Sequence, residues 1–534
     1  MSQTRYFCLN AERYRRRIES HVTYGRLDAA VATAAFWCVR SPLDLEPELT
    51  RARVELAAGH YRAAHDRAIA AIRTRDCPAA LALEVVNCLR LFVAHDDMFD
   101  FASGFARWNE VTSADRARVA GALSAIGALP LARVLAEAAV ADAPDDATAR
   151  VNRALISSYA GDFAAARSDL EHTIATPQNP AMAHWLLARL DRQTQDSNHV
   201  QRLRRQLLAA GDDQRYKEYL HFSLFKELDD LQDIDAAWAA LASGCALVRN
   251  RLSYDRAGRE RLFAALKRQF SQAHQGDATT DAAPIPIFIV GMHRSGTTLL
   301  ESMLATRPDV HAYGESQRLT GALRFAADYH CPTLVDERLV SLFPVIDPAT
   351  IAARFLLEGR RMFGNARFVT EKMPGNFQLI GFIRHALPQA KVVHLRRDPT
   401  DLCFANLREL FADGVDYSYA QEDLAHFHAL YADLMRHWQR VYPGFVLDVD
   451  YEALVLDPIG ESRRVFEFCG LEWQPDVIEP SRWSARSINT LSSVQARGKV
   501  STSSIGRWKP YATWLEPLRE ALKDAHSATS PDDE

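Results

Sequence analysis

Two rhythms of apolar and polar residues divide the chain. From residue 1 to about 250 the sequence is rich in Ala, Leu and Arg, with apolar positions at the spacing of helices that bury one face. From Pro284 onward short, β-prone apolar runs alternate with helical patterns. "PIFIV", "RFVTEK", "KVVHLRR" and "FVLDVDYE" read as strands. "GFIRHALP", "DLAHFHALYADLMRHWQRVY" and "PIGESRRVFEFCGL" read as helices. Such alternation predicts a parallel sheet covered on both faces. Ligands of these sheets bind beyond the carboxyl ends of the strands. Those ends here carry "GMHRSGTT", "EKMPGN" and "RRDPTD", rich in cations and hydrogen-bonding groups.

The helical half repeats. Gly25, Gly59, Gly127 and Gly161 are separated by 34, 68 and 34 residues and so share one register. An alanine follows each by five residues: Ala30, Ala64, Ala132 and Ala166. Pro42, Pro78, Pro144 and Pro177 stand where the second helix of each unit ends. Glycine permits a tight turn between two helices, and the small alanine lets the second pack closely on the first. The skipped position, Val93, lies in "FVAHDDMFDFA", a degenerate unit of the same length; Gln232 and Ala237 mark a last divergent one. This period and its marks resemble the tetratricopeptide repeat, whose stacked units form a concave face that holds a peptide or partner protein. "SQAHQGDATTDAAP", residues 271–284, reads as a linker or boundary loop, and "HSATSPDDE" as a disordered tail. The division expected is a helical solenoid over 1–270 and an α/β domain over 285–525.

At 534 residues the chain exceeds a single hydrophobic core, which stops growing at roughly 250–300 residues. A net charge of −5 argues against a general nucleic-acid binder. No apolar run approaches the roughly 20 residues of a membrane span, and the first residues lack the apolar core of a signal peptide. The eight cysteines are scattered with no C-x-x-C pair, which fits free thiols in a reducing compartment. The expected location is the cytoplasm.

"IFIVGMHRSGTTLLESML", residues 287–304, has the form of a phosphate-binding loop between a strand and a helix. Gly291 and Gly296 keep the spacing of the nucleotide-hydrolase loop, but Thr297 stands where that loop has lysine. Backbone N–H groups from Arg294 to Thr298 at a helix N-terminus would cradle an anion. A kinase or hydrolase would need the lysine and an acidic residue on a neighbouring strand for Mg²⁺; "KVVHLRRDP" offers arginines instead. Asp398 and Pro399 read as N-cap and first residue of the next helix. Arg397 fits a phosphate fork, though alone it would read as a surface ion pair.

"PIFIVGMHRSGTTLLESML", "YGES", "EKMPGNF", "KVVHLRRDPTD", "DYEAL" and "SIGRWKPY" resemble, in order and spacing, the sulfotransferase family. The likeness is greatest to bacterial tetratricopeptide-repeat sulfotransferases and the related protein-tyrosine sulfotransferases. It covers residues 285–520 and implies sulfuryl transfer from 3′-phosphoadenosine 5′-phosphosulfate to an acceptor hydroxyl, with no metal. It makes Arg294, Ser295, Gly296, Thr297 and Thr298 the 5′-phosphosulfate loop, and Arg397 a 3′-phosphate ligand. Ala405 departs from the serine that the family places eight residues after that arginine; Asn406 beside it points about 100° away on a helix. The resemblance makes Glu315 the general base, suited to a carboxylate whose pKa burial raises; a capping or ion-pairing glutamate is the alternative. Lys372 would steady charge on the leaving group, or be a salt-bridged structural lysine. Ser504, Arg507 and Trp508 match the loop that closes over the nucleotide, Trp508 being equally suited to a core. Asp450 to Leu454 match a strand end read as structural, and His293 and His394 are assigned no catalytic role. Direct in-line transfer, with Arg294 and Lys372 stabilising charge, is the implied mechanism. The rival readings are a repeat scaffold with an inactive transferase domain, which Ala405 favours, and a nucleotide kinase.

Overall fold

The computed structural model describes residues 2–272, 284–411, 414–484 and 498–528. The stretch read as a linker falls almost wholly outside them, as does the tail beyond 528; residues 526–528 belong to a helix, Glu516–Ala528.

Seven helix pairs open the chain. They are α1 (Ser2–Thr23) with α2 (Leu27–Arg40), α3 (Leu45–Ala57) with α4 (Tyr61–Thr74), and α5 (Ala82–Leu91) with α6 (His95–Gly104). Then come α7 (Ser113–Ala125) with α8 (Leu129–Asp142), α9 (Ala147–Ala160) with α10 (Phe163–Ala175), α11 (Ala181–Leu190) with α12 (Val200–Ala209), and α13 (Gln214–Asp230) with α14 (Ile234–Arg251). α15 (Arg256–Gln269) follows. The turn residues are left-handed: Gly25, Gly59, Gly127 and Gly161 have φ of 68°, 89°, 86° and 86°. Val93 and Gln232, the non-glycine members of the register, take φ of 55° and 62°. Five residues on, Ala30, Ala64, Met98, Ala132, Ala166 and Ala237 are all fully buried. The repeat pattern therefore marks a real backbone geometry, kept even where glycine is lost.

After α15 the chain enters a five-stranded sheet of order β2-β3-β1-β4-β5 with every neighbouring pair parallel. The strands are β1 (Ile285–Gly291), β2 (Val310–Ala312), β3 (Phe368–Glu371), β4 (Lys391–Arg396) and β5 (Val446–Asp450). The four runs read as strands are β1, β3, β4 and β5. β2, only three residues long at the sheet edge, carries too little pattern to be seen in sequence. Central β1 is buried on both faces, which explains its unbroken apolar run. Ile287, Ile289, Val393, Leu395 and Val449 meet Leu300, Leu304, Val465 and Phe466 from covering helices.

Compactness divides the chain by other boundaries than secondary-structure type. One unit joins residues 1–135 to 317–364; the other joins 136–316 to 365–534. The 317–364 segment, inserted between β2 and β3, carries α16 (Arg318–Ala327), α17 (Glu337–Leu342), α18 (Pro348–Leu357) and α19 (Arg360–Phe363). These helices belong with the first helix pairs. The Arg62 N–H donates to Asp328 Oδ1 at 2.7 Å, Arg354 reaches His65 Nε2 at 2.8 Å, and the Asp96 N–H donates to Glu358 Oε1 at 2.9 Å. A Cβ on Gly321 would stand 2.8 Å from Val93 Cβ, so the glycine admits that side chain. The remaining elements used below, all in the second unit, are the Thr297–Leu304 helix after β1, the Pro399–Leu407 helix after β4 and the Gln421–Val441 helix before β5.

Candidate active site

The loop after β1 depends on two glycines. A Cβ on Gly291 would stand 2.7 Å from the Leu395 carbonyl oxygen, and one on Gly296 2.5 Å from the Tyr451 ring. Arg294 and Gly296 both lie in the left-handed region, with φ of 68° and 104°. The result is a tight turn whose last residues open the Thr297–Leu304 helix, so that N–H groups converge at its start. Ser295 is fully buried, and its hydroxyl has no partner among the described residues. A buried hydroxyl left unpaired costs about 1–3 kcal/mol, which a bound anion would recover. Thr297 is buried beside it and Thr298 half-buried.

Arginines converge on the second unit's loop. Arg397, at the end of β4, donates to the Arg294 carbonyl at 3.0 Å and to the Ser504 carbonyl at 2.6 Å. Its guanidinium lies 4.9 Å from the centre of the Tyr451 ring, and its buried Nε has no partner among the described residues. Asp398 caps the next helix as expected, accepting from the Asp401 N–H at 2.9 Å. Arg294 lies 3.7 Å from Glu409, which Arg189 holds at 2.8 Å. Arg507 pairs with Asp229 of α13, which also accepts from Tyr511 Oη at 2.8 Å and lies 3.8 Å from Arg408. Burial pushes the Arg294 guanidinium below its ordinary value; Glu409 opposes this, while Arg189 and Arg397 add to it. Burial, followed by Arg507, brings Arg408 down to about 10. Both guanidiniums are depressed first by burial and then by neighbouring cations.

Glu315 and Lys372 are an ion pair at 2.5 Å. The lysine side chain is only 1% exposed, the glutamate 44%. Burial acts to raise the Glu315 pKa, but the Lys372 ammonium outweighs it and holds the carboxyl below its usual range. The expectation of a base raised by burial is thus corrected: its partner, not its surroundings, sets its charge. His293, which reaches Tyr417 Oη at 2.9 Å, is brought down to about 4 by burial and is neutral near pH 7.

The expected residues form two groups. Arg294, Ser295, Gly296, Thr297, Thr298, Arg397 and Ser504 share the loop, Ser504 through its backbone carbonyl. Glu315 and Lys372 form the other, and Arg294 and His293 act on the Glu315 charge. Arg507 is drawn to Asp229, and half-buried Trp508 lies under the Arg519 guanidinium, 4.8 Å from its ring centre. Ala405 is buried, and the Asn406 amide donates to the His293 and Leu402 carbonyls at 2.7 and 2.8 Å, bracing the loop. Tyr451, read as structural, also shapes the site by walling Gly296 and underlying Arg397. Arg189, Asp229, Arg408 and Glu409 escaped the sequence reading. The first two stand on repeat helices with no local motif; "NLREL" carried the last two, but their role appears only when the helix end meets the loop.

A parallel α/β sheet with an arginine-ringed, glycine-dependent loop at its carboxyl rim defines an anion-binding α/β fold. Residues 286–475 match the model of the sulfotransferase family. An uncharacterized protein of Aquifex aeolicus is 27% identical over 322 residues, covering 57% of this chain and 41% of its own length. Protein-tyrosine sulfotransferase A of Caenorhabditis elegans is 25% identical over 232 residues, 42% of this chain and 60% of the relative. Mouse heparan sulfate glucosamine 3-O-sulfotransferase 3B1 is 27% identical over 197 residues, 34% of this chain and 45% of the relative. The chain spans about half the length of the curated relatives it matches. A solved structure, the sulfotransferase domain from the curacin biosynthetic pathway, aligns over 47% of this chain and 99% of its own at 17% identity and TM-score 0.31, too low to argue from.

Proposed function

We propose that this chain is a sulfotransferase using 3′-phosphoadenosine 5′-phosphosulfate as donor and a hydroxyl of tyrosine or a saccharide as acceptor. The observation that carries the reading is the buried, unpartnered Ser295 hydroxyl inside a loop ringed by Arg294 and Arg397, with the Glu315–Lys372 pair in the same unit. The donor fits these residues: its phosphate and sulfate oxygens accept what Ser295 Oγ, Arg397 Nε and the loop N–H groups offer. When bound, it supplies the sulfuryl group for in-line transfer. Ser295, Thr297, Thr298 and Arg294 hold its 5′ end, Arg397 its 3′-phosphate, and the loop of Ser504, Arg507 and Trp508 closes over it. Glu315 takes the acceptor hydroxyl proton on a carboxylate oxygen. Lys372 would balance the charge that develops on the leaving-group oxygen.

The helix pairs are read as tetratricopeptide repeats that present a peptide or protein acceptor, and the linear division into 1–270 and 285–525 as the functional one. Similarity to a protein-tyrosine sulfotransferase and to a heparan sulfate glucosamine 3-O-sulfotransferase supports a hydroxyl acceptor. A cytoplasmic location is supported by seven buried cysteines that are free thiols. Among the described residues no single helix is long and apolar enough to cross a membrane.

The test is a thermal shift with 3′-phosphoadenosine 5′-phosphate, with and without Mg²⁺, on wild type and Arg294→Ala. A ligand at a hundred times its Kd stabilises by about 2.7 kcal/mol. The expected result is a metal-independent shift that the variant loses. No shift at millimolar nucleotide would end this reading in favour of a repeat scaffold, and a Mg²⁺-dependent one would favour the kinase.

A further inference from the structure

Buried Glu301, one helical turn beyond Thr297, stands under the Glu315–Lys372 pair. Its Oε1 accepts from the Gly314 N–H at 3.0 Å and from Thr370 Oγ1 at 2.6 Å. Gly314 immediately precedes Glu315, and Thr370 lies two residues before Lys372 on the same strand end. The Gly314 carbonyl in turn accepts from the Lys372 N–H at 2.9 Å, and Ser316 Oγ donates to Glu371 Oε2 at 3.0 Å. One carboxylate oxygen on the anion-loop helix thus clamps the turn that carries the base to the strand that carries the lysine. Gly314 takes φ of 62°, so its position rests on these bonds as much as on backbone preference.

We propose that Glu301 is a positioning residue for the Glu315–Lys372 pair, locking both to the helix that opens the nucleotide loop. The proposal rests on the sulfotransferase reading for its consequence, but not for its geometry. Any solvent-facing substitute for Glu301 would leave two donors, the Gly314 N–H and the Thr370 hydroxyl, without their shared acceptor. The turn would then drift and Glu315 would leave the ammonium. The groups that face Glu315 are Lys372, His293 and Arg294, together with Glu301 and Tyr159, whose own titrations its charge perturbs. Burial raises the Glu301 pKa, with Lys372 and the hydrogen bonds from Thr370 and Gly314 opposing it. Glutamine keeps an acceptor oxygen for both donors; alanine keeps none.

The experiment follows the Glu315 carboxyl by ¹³C NMR titration of the full chain labelled at glutamate, assigned with Glu315→Gln, in Glu301→Gln, Glu301→Ala and Thr370→Val. In parallel, calorimetry measures binding of 3′-phosphoadenosine 5′-phosphate. Glu301→Gln is expected to leave the Glu315 midpoint at the wild-type pH. Glu301→Ala is expected to raise it toward or above the ordinary carboxylate value by about one unit, with Thr370→Val between. Nucleotide affinity should change by less than about threefold in each, since the side chains of Glu301 and Thr370 bond each other and Gly314 and not the residues of the anion loop. An unmoved midpoint in Glu301→Ala overturns the proposal; should that variant not fold, an unmoved midpoint in Thr370→Val overturns it equally. A wild type that fails to bind the nucleotide sinks the sulfotransferase reading instead, and leaves the titration result standing on its own.

Discussion

The unit built on the sheet gathers half-buried arginines around its loop: Arg189 and Arg294 share Glu409, Arg408 and Arg507 share Asp229, and Arg397 donates to carbonyl oxygens. In the other unit a half-buried carboxylate, Glu358, accepts from the Asp96 N–H at the start of α6. Both arrangements perturb titration, Arg408 down to about 10 and Glu358 up to about 7, each with burial as the largest cause. The first places unpartnered polar atoms of a conformationally constrained loop, Ser295 Oγ and Arg397 Nε, beside that charge. Glu358 is spent on a helix end. A shifted pKa alone therefore does not mark a ligand site; a shifted group beside open hydrogen-bonding capacity does.

The largest effect expected from this contrast follows removal of an arginine. Arg397→Ala should weaken binding of 3′-phosphoadenosine 5′-phosphate by about 100-fold, as a charge-assisted fork contributes on the order of 3 kcal/mol. The unliganded melting temperature should stay the same or rise, because one crowded cation is gone. Calorimetry and thermal melts read both. A large fall in unliganded stability with unchanged affinity would recast the cluster as a structural network like that of Glu358.

Lys372→Met should move Glu315 next. Without the ammonium, only the weaker influence of His293 and Arg294 opposes burial, and the Glu315 pKa should rise by about one unit or more. The sign follows from the native pair. Its depressed pKa makes the contribution to stability present above the ordinary carboxylate value and lost as pH falls through the lower one. The acid limb of activity, or a carboxyl titration, should accordingly move to higher pH in the variant. An unmoved limb would detach Glu315 from Lys372.

Much of this contrast was legible in sequence, but unevenly. The loop was, because spacing of Gly291 and Gly296 and the strand before them are local properties. The repeats were, because a left-handed turn every 34 residues leaves glycine as its trace. Val93 shows the limit: it holds φ of 55° with a β-branched side chain because Gly321, 228 residues away, leaves room for it. Asp229 and Arg189 likewise gain their roles from long-range folding, and the depressed Glu315 depends on an ammonium 57 residues on. The assignment of 317–364 to the first helical pairs follows from side chains such as Arg354 and Glu358, which show no motif.

Glu358→Gln tests the other half of the comparison with a smaller effect. A carboxyl raised from its ordinary value to about 7 binds its proton more tightly when folded. Stability linked to it is therefore lost as pH rises from the ordinary carboxylate value through 7, the reverse of Glu315. Glutamine keeps the acceptor for the Asp96 N–H without the charge. The variant should be more stable than wild type by on the order of 1–3 kcal/mol at pH 8 and equal to it at pH 5, by urea unfolding. Nucleotide affinity should not change. Equal stabilities at both pH values would show that Glu358 is as well solvated as a surface carboxylate.

The smallest effect isolates backbone from charge altogether. Gly59 turns at φ of 89°, and a Cβ there would meet nothing within 4 Å. Gly59→Ala consequently tests conformation alone, and a left-handed non-glycine residue should cost about 1 kcal/mol. The melting temperature of the whole chain should fall by about 1 °C, with nucleotide binding and the Glu315 titration untouched. At Val93 the same backbone cost is met by a buried side chain packed on Gly321, so an alanine at position 59 lacks what makes valine tolerable at 93. If Gly59→Ala were neutral, the repeat register would be held by the buried position five residues on, Ala64, and glycine would be a convenience of the turn rather than its cause.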